Sequence, residues 1–169
     1  EPFDLNRVDS ELAYVEIEGR RVAGVPLFDG GFTGHDGVYD SIGPVGSDVA
    51  IGVAEVGPSP REDFTQARRA DKHKGIVAVT PTGPGAAIMN APSFLIPFGP
   101  PVLQVSGEAR EWLVGYAGRN SEAQLVAAVG RTPATSFNVT SSLQGDDVAL
   151  APVIVMTPRT GWWYCAGER

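Results

Sequence analysis

A chain of 169 residues with 43% hydrophobic and 20% charged residues is long enough to bury one domain-sized core. Its net charge of −7 opposes binding to a phosphate backbone, which needs clustered Lys and Arg, so nucleic acid is excluded as a partner. No apolar run approaches the ~20 residues of a membrane span, and a single cysteine excludes an internal disulfide.

With Gly 21 and Pro 14, about a fifth of the chain consists of turn-forming residues, which favours short strands over long helices. "AYVEIEG" (13–19) alternates apolar and charged residues and predicts a half-buried strand. "RRVAGVPLFDGG" predicts a second strand with a Gly-Gly turn behind it. The stretch 34–46 carries Gly34, Gly37, Gly43 and Gly46 and reads as a loop leading to "DVAIGVAEV", a strand covered on both faces.

Ser59-Pro60-Arg61-Glu62 has the composition of a helix start, with a hydroxyl cap, Pro at the first helical position and Glu three residues on. Phe64, Ala67 and Ala70 or Asp71 follow at helical spacing. Lys72, His73 and Lys74 are expected in the last turn, where cations favour the dipole, with Gly75 as the stop. The buried strand "GIVAVT" comes next. After "PTGPGAAIMNAPSFLIPFGPP" (81–101), a loop, "PVLQVSG" predicts another strand. Ser106 then caps a second helix whose apolar stripe is Ala109, Trp112, Leu113 and Tyr116. "AQLVAAVG" and "APVIVM" predict two more strands. Two helices against seven or eight strands make a β-rich α/β fold that is not doubly wound.

Chemistry-bearing residues are sparse. His35, Asp36, Asp40 and Asp48 place a histidine and three carboxylates within fourteen residues, a candidate set for zinc or a hard cation. Their spacing matches no known zinc or calcium loop, and Asp among glycines also serves turns. Neither His35 nor His73 sits in a motif that would activate Cys165, which reads as a buried structural thiol. No Gly-x-Ser-x-Gly elbow is present. Asn138-Val139-Thr140 fits a glycosylation acceptor, which counts only in a protein secreted by a eukaryote, and an Asn at a strand start is the preferred explanation. The 81–101 loop is too long for a plain connector and carries Ile88, Met89, Phe94, Leu95, Ile96 and Phe98. Such residues either cover a core or meet a partner. The same holds for Trp162, Trp163 and Tyr164 in the closing "GWWYCAGER".

Three stretches in order resemble the protease-associated (PA) domain: "SDVAIGVAEVG", "DFTQARRADKHKGIVAVT" and "PPVLQVSGEAREWL". Beyond them, "TSFNVTSSLQGDD" and "APVIVM" are similar to the first strands of M28-family zinc peptidases. There the second strand leads to a His-x-Asp ligand motif, whereas this chain has Thr157-Pro158-Arg159-Thr160.

The resemblance implies a PA-like, strand-rich domain over 1–131 with two short helices. It implies the incomplete edge of an M28-like domain over 132–169. It also implies no catalytic residue and no cofactor in this chain, with zinc reserved for a parent protein. The aromatic end expects a downstream domain or partner chain, and a peptide or protein substrate is the implied contact. Arg169 reads as a cut or a protease product, and Glu1 as a processed or missing start. A secreted, periplasmic or envelope location follows from the family alone. The implied function is an accessory module that restricts or guides access to a peptidase-like neighbour. The alternatives are a portion of an active M28-like hydrolase whose catalytic residues lie beyond Arg169, and a structural docking domain.

Overall fold

The computed structural model describes residues 2–57, 62–91, 93, 96–146 and 150–155. The elements in chain order are β1 (Pro2–Ile17), β2 (Arg20–Pro26), β3 (Val38–Pro44), β4 (Ile51–Glu55), α1 (Glu62–Arg69), β5 (Gly75–Val79), β6 (Val102–Val105), α2 (Arg110–Ala117) and β7 (Glu122–Phe137). The β-rich α/β class with two short helices is what the sequence predicts. None of the described helices is long and apolar enough to cross a membrane. The chain divides into two compact units, Asn6–Thr132 and a second formed by Glu1–Leu5 with Pro133–Arg169.

In the larger unit the strands close into a barrel in the order β1-β2-β6-β5-β4-β3-β7. Glu18 and Gly19 form the two-residue β1–β2 loop, both at positive φ (50° and 78°), which matches the right-handed twist of the paired strands. From β3 to β6 the neighbours run parallel, with Ile51 opposite Gly75 and Ile76 opposite Val102. Parallel strands need crossover connections, and α1 supplies the one from β4 to β5.

Period two then sorts the side chains into two layers. Val53, Val77, Val79, Leu103 and Val105 point to one side and pack with Val15, Ile42, Leu113 and Leu125. Ala54, Ile76, Ala78 and Val102 point to the other and pack with Phe64 of α1, Leu27 and Met89. Each buried Val, Leu or Ile contributes ~1.5–3 kcal/mol, so both layers are needed to hold a sheet this apolar. β5 and β6 are accordingly buried along their full lengths.

Four expectations change. Residues 34–46 are not all loop, since Val38–Pro44 is a strand paired with both β4 and β7. The first helix ends at Arg69, because Asp71 takes a left-handed conformation (φ 50°) that breaks the helical path. Met89 joins the core instead of waiting for a partner. Residues 151–155 form no strand among the described residues; Val153, Ile154 and Val155 are 89%, 81% and 87% exposed, and a strand needs a ladder partner that they lack there. The Ser59–Pro60 cap and the aromatic end with Cys165 lie outside the described residues.

In the second unit Thr135 donates its hydroxyl to Asp4 Oδ1 at 3.1 Å, and Phe3 and Phe137 are exposed.

The barrel leaves no room at Gly24 on β2, where a Cβ would stand 2.7 Å from the Gln104 carbonyl oxygen and 2.7 Å from Leu103 Cγ. Gly24→Ala is expected to destabilise the fold by about 1–3 kcal/mol, read from the midpoint of urea unfolding.

Candidate functional site

The four metal candidates go to four different partners. His35 Nε2 lies 2.9 Å from Glu11 Oε2, with both side chains exposed. Asp36 accepts a bond from Gln124 Nε2 through its backbone carbonyl. Lys74 Nζ donates to Asp40 Oδ2 at 2.8 Å, and that bond holds the Asp40 carboxyl below its usual range. Asp48 pairs with Lys72 Nζ at 2.7 Å, with the same consequence. Among the described residues no group of three or more His, Cys, Asp or Glu side chains could hold a metal ion.

His73 is not a cation at a helix end. It lies four residues past α1 and is 3% exposed. Its Nε2 accepts the Gly46 N–H at 2.9 Å, and its Nδ1 faces the Val49 carbonyl at 2.8 Å. This pattern assigns the neutral ring with its proton on Nδ1. The imidazole bolts the β3–β4 connection onto the sheet, and the flanking lysines hide that role in the sequence.

The 81–101 segment is a strap tied down at Gly85, Ala87, Met89, Ser93 and Phe98. Thr80 Oγ1 accepts the Ala87 N–H at 2.7 Å, Ser106 Oγ accepts that of Gly85 at 3.1 Å, and Gln104 Oε1 accepts that of Met89 at 2.6 Å. Asp29 Oδ2 accepts from the Ser93 N–H at 3.4 Å, and its carbonyl from that of Phe98 at 3.0 Å. Beneath the strap lies a buried ion pair. Arg68 Nη2 donates to Asp29 Oδ1 at 2.8 Å, to the Asp29 carbonyl at 2.9 Å and to the Phe98 carbonyl at 3.1 Å. Its side chain is 5% exposed and that of Asp29 is 1% exposed. The guanidinium also lies 4.1 Å from the Phe98 ring centroid.

The apolar loop residues therefore divide. Met89 and Phe98 face inward, Ile88 is half-buried, and Ile96 stands out at 81% exposure. Phe94, Leu95, Trp162, Trp163 and Tyr164 lie outside the described residues.

A cleft of ≈ 370 Å³ opens where β3 and β4 end, between α1 and α2. Val45, Val53, Val56, Phe64 and Val114 line it, and Glu55 and Asp63 supply two carboxylates. Arg110 grips Glu55 through Nε at 2.6 Å and Nη2 at 3.0 Å, and this pairing strengthens the hold of the guanidinium on its proton.

No family model matches the sequence, and no curated protein matches it. Among solved structures the chain is similar to BSAP, a zinc aminopeptidase from Bacillus subtilis, at 14% identity and a TM-score of 0.55. The match covers 79% of this chain and 34% of that one, so the chain spans about a third of that protein's length. At this identity the likeness is one of fold.

Removing one partner of a buried ion pair strands the other charge, whereas removing both does not. Asp29→Leu or Arg68→Met alone is expected to cost ~3–5 kcal/mol in chemical unfolding, and the double variant to recover most of that loss.

Proposed function

We propose that this chain is a non-catalytic, PA-like accessory unit of a larger peptidase-related protein. In this reading residues 1–131 form the accessory domain, and 132–169 begin the neighbouring one. The strap meets the peptide or protein substrate, and decides by contact what gains access. Zinc chemistry, in this reading, belongs to the parent protein beyond Arg169.

The observation that carries the proposal is the strap itself. A flexible apolar loop would lose affinity to the entropy of ordering, but this one is fixed by Asp29, Gln104 and Thr80 and still displays Ile96 to solvent. Rigid scaffolds that present loops are a common way to build recognition surfaces. The fold likeness to a part of BSAP supports a peptidase setting, and the separate partners of His35, Asp36, Asp40 and Asp48 support a role other than metal catalysis.

Two measurements test this. The 169-residue chain is expected neither to take up stoichiometric zinc by calorimetry nor to release a chromophore from aminoacyl anilides; tight zinc with turnover would refute the accessory role. In the polypeptide extended past Arg169, Ile96→Glu is expected to change KM for peptide substrates several-fold at constant kcat, because access and not chemistry is altered. An unchanged KM would remove the strap from the account.

A further inference from the structure

Asp29 and Arg68 are buried as a charged pair, whereas His73 is buried with backbone partners. We propose that His73 is an acid-sensitive latch: the neutral ring closes the turn at Gly46, and a second ring proton releases it.

The geometry leaves that proton one place to go. Nδ1 carries the first proton and donates it to the Val49 carbonyl at 2.8 Å, while Nε2 accepts the Gly46 N–H at 2.9 Å. One ring thus ties down two points of the connection formed by residues 45–50. The ring also lies hard against β4, since a Cβ built on Gly52 would stand 3.0 Å from its Cδ2 and 3.1 Å from its Nε2. A second proton takes the Nε2 lone pair, so two donors meet where a donor met an acceptor. A buried cation that has lost a bond is costly, and turning the ring to aim Nε2 elsewhere would give up both bonds. What remains at Gly46 is an exposed contact from Lys72 Nζ to its carbonyl at 3.2 Å. The Lys74 and Gly75 amides still hold the Ala50 carbonyl, and the Val45 amide still holds that of Val53. Opening is therefore confined to residues 46–49.

The charged groups of the surrounding elements do not mask this response. In the segment of His73 itself, Lys72 and Lys74 flank the ring and Asp71 is exposed. On the connection, Asp48 is held by Lys72 at 2.7 Å; on β3, Asp40 is held by Lys74 at 2.8 Å; on β4, Glu55 is held by Arg110. The lysine bonds keep the Asp40 and Asp48 carboxyls below their usual range, so both stay ionised while an imidazole titrates. The sign follows. The latch contributes its hold while the ring is neutral, on the alkaline side of its titration, and loses it on the acid side.

The test is an NMR titration of the 169-residue chain from ~pH 8 to ~pH 5, following the ring nitrogens of both histidines and the backbone amides. At the alkaline end the His73 ring is expected as the Nδ1–H tautomer. As it takes its second proton, protection of the Gly46 amide, relative to an open chain at the same pH, is expected to fall about 10-fold with the same midpoint. Val77 on β5 is expected to keep its protection. His35→Gln removes the other imidazole, which is exposed and bonded to Glu11, and is expected to leave the response unchanged. His73→Gln replaces the ring with an amide that does not titrate and is expected to abolish the response. Should that variant not fold, the midpoints in the unaltered chain and in His35→Gln decide alone. A His73 ring still neutral at ~pH 5, a Gly46 amide indifferent to its protonation, a response that tracks His35, or one that survives in folded His73→Gln would each overturn the proposal.

Discussion

Asp29 and Arg68 meet almost without water, and the arrangement around them makes sense only if both charges stay in place. A lone buried carboxylate or guanidinium is costly in a low-dielectric interior, so each residue is held where the other can reach it. Through that pair the end of β2, the last turn of α1 and the Phe98 end of the strap are fixed against one another. Among the described residues the buried Arg68 Nε has no hydrogen-bond partner, and the contacts of the guanidinium run through Nη2 and the Phe98 ring. An apolar pair of similar volume would pack as well but would not specify the direction of three backbone carbonyls and amides.

The barrel explains why such a clamp is needed. β5 and β6 bury both faces, so the sheet requires cover on each side. Leu113 of α2 closes one side, and Phe64 of α1 with Met89 of the strap closes the other. The strap is thus part of the fold at Met89 and a surface at Ile96. The cleft arises from the same geometry. Residues of α1 and α2 line it together with those at the ends of β3 and β4.

Much of the architecture was legible along the chain. The apolar runs at 51–54 and 75–79 announce buried strands, "PVLQVSG" announces another, and the Trp112, Leu113, Tyr116 spacing announces α2. Local rules fail where long-range partners decide. Gln104 is a lone polar residue within a strand, yet its Oε1 accepts the Met89 amide across fifteen residues. Asp29 and Arg68 are thirty-nine apart and carry no local signature of their pairing. The lysine neighbours of His73 suggest a cation at a helix end, although Gly46 and Val49 determine its role. "APVIV" has strand composition, but composition cannot supply a ladder. The carboxylates near His35 lie close in sequence and part in space, because β3 turns Asp40 toward Lys74 while Asp48 leaves with Lys72. Nothing in the sequence points to the cleft, since its lining comes from four separate stretches.

The account rests on the strap being as firmly seated as the sheet beneath it, and native-state hydrogen exchange reads this residue by residue. The amides of Met89 and Phe98, bonded to Gln104 Oε1 and the Asp29 carbonyl, are expected to be protected to a degree comparable with Val77 on β5. Exchange of both at rates near those of an open chain, with Val77 still protected, would contradict it.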